Sequence, residues 1–384
     1  MREKGGNGMF SAGSFASGLV SGAARRRVKA VMAAAVLTAS LLLAASKKPP
    51  VSKEGAKPQV EPAGKAPSQT RKALEVLSPF DEPLLLPLLK FIDAGTGLNC
   101  RQVKLEGGNR FSEYEYDLYL GPMPKRLPEE IDPLESSSWK SLDPSLSERG
   151  VHTWSSWHGC IALNTILTLD NNGLEANALA ALVGKLTAVS PDRDLFTLAI
   201  LTALSSAYGT GILQEISNAI PTYRGSREEL AFSIESGQYA GALGAAGFFR
   251  RSALKGYPIE VRFSSLNRAK YPVTAVYGKN VAFIPAASRN KEGAAYLIAF
   301  LAEGTFQEHL AGGSGGRVTG GSSVPALLPF DPIDPEALAK TGWKAVYPPQ
   351  KALIEWTYDW AALEETRKAW EAVAYPEGVR DILK

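Results

Sequence analysis

Histidine and cysteine are scarce in this chain, with three and two copies in 384 residues. A Cys/His metal site needs its ligands closely clustered, and His152, His158 and His309 with Cys100 and Cys160 are not. No metal site and no cofactor is therefore expected. The phosphate-binding motifs are missing too. There is no G-x-x-x-x-G-K-[ST] loop, and no G-x-G-x-x-G opens a helix after a strand. "GGSGG" at 312–316 matches the G-x-S-x-G nucleophile pattern, but its serine follows a helix and no histidine comes after it. That match is accidental, and no enzyme activity is expected.

A basic body is also lacking. The net charge of +3 comes from the leader, because residues 1–72 hold 13 Lys and Arg against 3 Asp and Glu. The remaining 29 basic and 36 acidic residues leave the rest at −7, which argues against a nucleic-acid partner. One long apolar run exists, "AVMAAAVLTASLLLAAS" at 30–46, preceded by Arg25, Arg26, Arg27 and Lys29. It reads as a signal peptide ending in small residues, or as an uncleaved N-terminal anchor. Either way the body is expected in the periplasm or elsewhere outside the cytoplasm. Residues 47–72, rich in Pro, Lys, Ala and Glu without aromatics, read as a disordered linker. In an oxidising compartment Cys100 and Cys160 either pair or stay as buried thiols.

From residue 73 the pattern becomes α/β. "LEVLS" (74–78), "LNCRQVKL", "DLYLG" (117–121), "GCIALNTIL" (159–167), "GKLTAV" (184–189), "QYAGALG" and "NVAFIPA" read as strands. Helices are expected at 81–97, 194–209, 226–237, 290–304 and 358–373, with Ser226/Glu229 and Thr305/Glu308 at capping-box spacing. Strands separated by helices or long connections point to parallel βα units, and the length points to two lobes. In such sheets ligands sit beyond the carboxyl ends of the strands. Those ends supply Ser78, Phe80 and Asp81; Asn109 and Arg110; Asp192, Arg193 and Asp194; and Phe248, Phe249 and Arg250. Trp157 joins them as an aromatic surface for a cationic or heteroaromatic solute, while the arginines slightly favour an anionic one.

Four segments carry a resemblance: "LEVLSPFDEPLLLPLLKFIDAGTGLNC", "GCIALNT", "SGQYAGALGAAGFF" and "NVAFIPAASRNKEGAAYLIAFLAEGTFQEHLA". Together they resemble the bacterial extracellular solute-binding proteins that serve ferric iron, thiamine, polyamines and phosphonates or sugar phosphates. The resemblance implies a type II-like fold of two α/β lobes joined by crossing strands. Lobe 1 would take 73–158 plus 278–312, and lobe 2 would take 159–277 plus 313–384. It further implies a monomer that closes like a hinge on a small solute and delivers it to the membrane permease of an ABC transporter.

Three departures qualify that expectation. Ferric binders of this class place two tyrosines where this chain has Phe248 and Phe249, and a phenyl ring offers no oxygen to a hard cation. The rings then either stack on a ligand or pack into a core. A helical segment between the second and third strands is shortened to "EGGNRFSEYEY" (106–116), which removes a wall of the site. "SPDRDLFT" replaces a Ser-Gly-Thr type turn. These changes leave open a second reading, in which the fold has lost solute binding and serves as an extracytoplasmic interaction or structural module.

Overall fold

The computed structural model describes residues 73–107, 110–133, 147–168, 177–263, 266–272, 274–312, 329–343, 347–349 and 352–374. The leader, the linker, Asn109 and Gly313–Gly316 lie outside them. In chain order the elements are β1 (Leu74–Ser78), α1 (Glu82–Thr96), β2 (Cys100–Lys104), β3 (Leu118–Pro122), β4 (His152–Asn164), α2 (Ala178–Ala181), β5 (Leu186–Val189), α3 (Leu195–Tyr208) and α4 (Gly211–Ala219). There follow β6 (Thr222–Arg224), α5 (Arg227–Glu235), β7 (Gly241–Ala245), α6 (Ala246–Leu254), β8 (Ile259–Arg262), β9 (Val276–Phe283), α7 (Lys291–Ala302) and α8 (Gly304–Leu310). The chain then runs through β10 (Asp331–Pro332), α9 (Pro335–Ala339), β11 (Ile354–Trp356) and α10 (Trp360–Ala374).

Local chemistry sets several boundaries. Helix α1 opens with proline in its first turn, buries Leu84, Leu85, Leu88, Leu89, Phe91 and Ile92, and stops at Gly97, whose φ of 67° suits glycine. Ser226 caps α5 by accepting from the Glu229 backbone N–H, as the capping-box spacing predicts. The Thr305/Glu308 spacing fails: α8 begins at Gly304, its N-cap position is Glu303, and no side chain caps it. Helix α7 already brings the chain to that point, so the second helix starts without a free turn to cap.

The strands form one sheet with two parallel wings. At one end β2, β1 and β3 run parallel, and at the other β6, β5 and β7 do. Antiparallel β4 and β9 lie between them. β4 makes the crossing. Its first half, His152–His158, pairs with β9, whereas Gly159–Leu163 pairs with β7 and Ile161–Asn164 with β8. The sequence pattern predicts a strand at 159–167, but the observed strand begins at His152 and ends at Asn164. The aromatic stretch "HTWSSWH" pairs on both sides and so reads as strand only in three dimensions. Of the 313–384 stretch assigned to the second lobe, β10 and β11 pair with β4 and β9, while α10 packs on α3 and α4.

Both cysteines are free thiols, Cys100 half-buried and Cys160 buried. Among the described residues, no helix is long and apolar enough to cross a membrane, and no group of three or more His, Cys, Asp or Glu is placed to hold a metal.

Helix α8 carries a pH-dependent element. The His309 ring stacks on Phe91 at 4.4 Å and 5°. Burial, with the nearby Arg251 charge, lowers its pKa to about 4. The unfolded chain binds that proton near pH 6.5, so the contribution of neutral His309 is full above about 6.5 and is lost as pH falls toward about 4. Urea unfolding between those limits is expected to show stability rising with pH, and His309→Phe is expected to flatten the slope.

Candidate functional site

The carboxyl ends of β1, β5 and β7 meet at one place, as the sequence argument requires. Phe80 arrives after β1, Asp194 and Phe196 after β5, and Phe248 at the start of α6 after β7. That meeting place is filled. Phe80, Trp157, Phe196, Phe248 and Phe330 are each at most 1% exposed. Phe80 contacts Phe196 at 6.0 Å and Phe330 at 5.4 Å, Phe196 contacts Phe248 at 6.0 Å, and Trp157 meets Phe196 at 5.2 Å. Gly278 on β9 is needed here, because a Cβ there would fall 2.3 Å from the Trp157 Nε1.

A polar bridge lies beside the rings. Arg227, at the start of α5, donates from Nε to Asp194 at 2.9 Å and from Nη2 to Asp81 at 3.0 Å, with its guanidinium over the Phe248 ring at 5.6 Å. The other oxygen of Asp194 accepts from the Thr197 backbone N–H at 2.7 Å and the Thr197 hydroxyl at 2.8 Å, capping α3. Burial raises the Asp81 pKa, partly offset by Arg227 and reinforced by Asp194. Burial alone would lower the Arg227 pKa, but Asp194 and Asp81 outweigh it and hold it above the usual range. Helix N-termini bind anions through free N–H groups; at α3 a side chain of the protein already takes that role.

The sequence-predicted residues divide by position. Ser78 is buried and its hydroxyl accepts from the Phe80 backbone N–H. Phe248 and Phe249 are 0% exposed and helical, so the pair lies in the core and not on an open turn. Phe249 packs against Gly244. Arg250 is buried on the same helix, donating to Asp331 and to the carbonyls of Leu310 (2.8 Å) and Phe330 (2.7 Å). As placed, Phe80, Trp157, Phe248, Phe249 and Arg250 present almost no surface to a solute. Asp192, which accepts from the Ser190 hydroxyl, and Arg193 are exposed beyond β5. Arg110 is exposed, but elsewhere.

Arg110 borders an open groove of about 1190 Å³ on the β2–β1–β3–β9 wing. Its walls come from residues 105–106, 110–116, 124–130, 285–287 and 358–361, so described residues of the connection between β2 and β3 form one side of it. Phe111 covers part of the sheet beneath, meeting Tyr119 at 5.4 Å and Phe283 at 5.9 Å. Sequence reasoning missed this groove. Its one sequence signal was that same short connection, which reads as a missing wall and not as a new opening.

No family model matches the chain, and no curated protein matches it in sequence. Its fold matches solved structures. The periplasmic binding protein AfuA from Actinobacillus pleuropneumoniae, with fructose-6-phosphate bound, superposes with a TM-score of 0.50 at 12% identity, over 79% of this chain and 99% of that one. The ferric binding protein from Campylobacter jejuni does so with a TM-score of 0.50 at 13% identity, over 79% and 99%. At such identity the likeness establishes the fold. The chain is an α/β protein with the periplasmic-binding-protein fold.

Core and cleft roles for the rings differ in what truncation costs. Phe80→Ala and Phe248→Ala are each expected to destabilise the protein by about 3–5 kcal/mol in urea unfolding, the cost of a cavity left by a buried ring. Rings lining an open cleft would give changes of about 0.5 kcal/mol or less, the range for surface substitutions.

Proposed function

We propose that this chain is a non-catalytic extracytoplasmic protein that keeps the two-lobed solute-binding fold without an open interlobe solute site, and acts as an interaction module. The filled junction carries this reading. A solute would have to displace rings that are each at most 1% exposed, and burying such a ring contributes roughly 1.5–3 kcal/mol. The lobes in this reading divide on β4 between His158 and Gly159, where its pairing changes from β9 to β7 and β8. The extracytoplasmic location rests on the apolar run and its basic flank at the N-terminus.

A second reading keeps transport: hinge closure on a small polar solute, slightly preferred anionic, followed by delivery to an ABC permease. The bridge at the junction favours it. Asp81 keeps 32% of its side chain exposed, and Arg193 is exposed close by on the α3 approach, so charged groups remain at the mouth of the junction. A neighbour with this fold holds fructose-6-phosphate. In this reading Asp81, Asp192 and Arg193 contact the solute once the rings part, whereas Asp194, predicted among them, stays buried on Arg227 and Thr197.

Thermal unfolding of the purified protein against sugar phosphates, phosphonates, thiamine, polyamines, ferric citrate and amino acids separates the two. The interaction module predicts no shift with any of them. A solute at about 100 times its Kd adds about 2.7 kcal/mol of stability, and a shift of that size would replace the first reading with the second.

A further inference from the structure

The groove on the β2–β1–β3–β9 wing is distant in kind from the filled junction, and its lining defines a ligand. Charges of both signs line it: Arg110, Lys125 and Arg126 against Glu106, Glu129, Glu130 and Asp359. Lys125 and Asp359 pair at 2.7 Å. Near-balanced charge gives neither an anion nor a cation a clear preference, and an apolar chain would leave these groups without partners. The volume, about 1190 Å³, exceeds the roughly 300–1,000 Å³ typical of a pocket for one small molecule. The occupant is therefore neutral, polar and extended.

An aromatic platform completes the site. The Trp360 indole lies so close to Gly107 that a Cβ there would fall 1.7 Å from its Cε2. The ring is thus backed by main chain, yet it remains 37% exposed. Held aromatic faces of this kind accept the C–H face of a sugar ring, while paired carboxylate and ammonium groups accept from and donate to its hydroxyls. We propose that this groove binds a neutral oligosaccharide, with Trp360 as its stacking platform. This goes beyond the function proposed above and needs neither an open nor a filled interlobe junction.

The test is calorimetric titration of the full-length protein with cellohexaose, maltohexaose, mannohexaose and chitohexaose. A hexagalacturonate and a proline-rich decapeptide are the charged and peptide alternatives. The expected result is binding of at least one neutral hexasaccharide, weakened about tenfold or more by Trp360→Ala. Gly107→Ala, which displaces the indole without removing it, is expected to weaken binding too. Phe232→Ser, at an exposed position on α5, is expected to leave it unchanged. Thermal unfolding of each variant confirms that it is folded. The proposal is overturned if no neutral hexasaccharide binds, if binding survives both groove substitutions, or if the hexagalacturonate or the peptide binds more tightly at Trp360.

Discussion

The structure depends most on one buried carboxylate. Asp331, on β10, accepts from Arg250 of α6, from the Tyr347 hydroxyl at 3.1 Å and from His158 Nδ1 at 2.8 Å. Burial alone would raise its pKa, but the hydrogen bond from His158 and the charge of Arg250 outweigh that and hold the group below the usual carboxylate range. His158 is the last residue of β4 to pair with β9, so this knot sits where the strand passes from one wing to the other. Arg250 also ties the Leu310 and Phe330 carbonyls to α6. A buried charge is tolerated only when such partners surround it, and here the partners come from the crossing strand β4, from α6 and from the C-terminal part of the chain.

Next to that knot, strand ends and rings meet in a buried cluster. Strand ends and helix N-termini converge as they do in other open α/β sheets. Here phenyl and indole rings occupy the space between them, Asp194 caps α3, and Arg227 pairs with both Asp194 and Asp81. Together they form a buried aromatic cluster beside an ion-pair bridge.

The open space lies instead where the chain is short. Among its described residues the 106–116 connection supplies one short 3-10 turn at Phe111–Glu113, too little to cover the wing as a full helix would. Phe111 shields part of the sheet, and the start of α10 brings Trp360 and Asp359 to the rim. The connection between β2 and β3 and the start of α10 thus border the open groove.

Much of the fold was legible locally. The strand–helix–glycine order of 74–97, the Ser226 cap and the strand at 184–189 follow from periodicity and capping chemistry that a few neighbouring residues decide. The sequence likewise placed Phe80, Asp194 and Phe248 at strand ends that meet, and the scarcity of histidine and cysteine bears on chemistry without any fold. Sequence could not decide whether those rings face a solute or one another. A phenylalanine beside glycines has the same local pattern in both cases, and only the opposing Phe196, Phe330 and Trp157 determine its exposure. Nor could it pair Arg250 with Asp331, 81 residues apart, or bring Trp360 onto Gly107. Long-range contacts decide burial, and burial here separates the core from a binding surface.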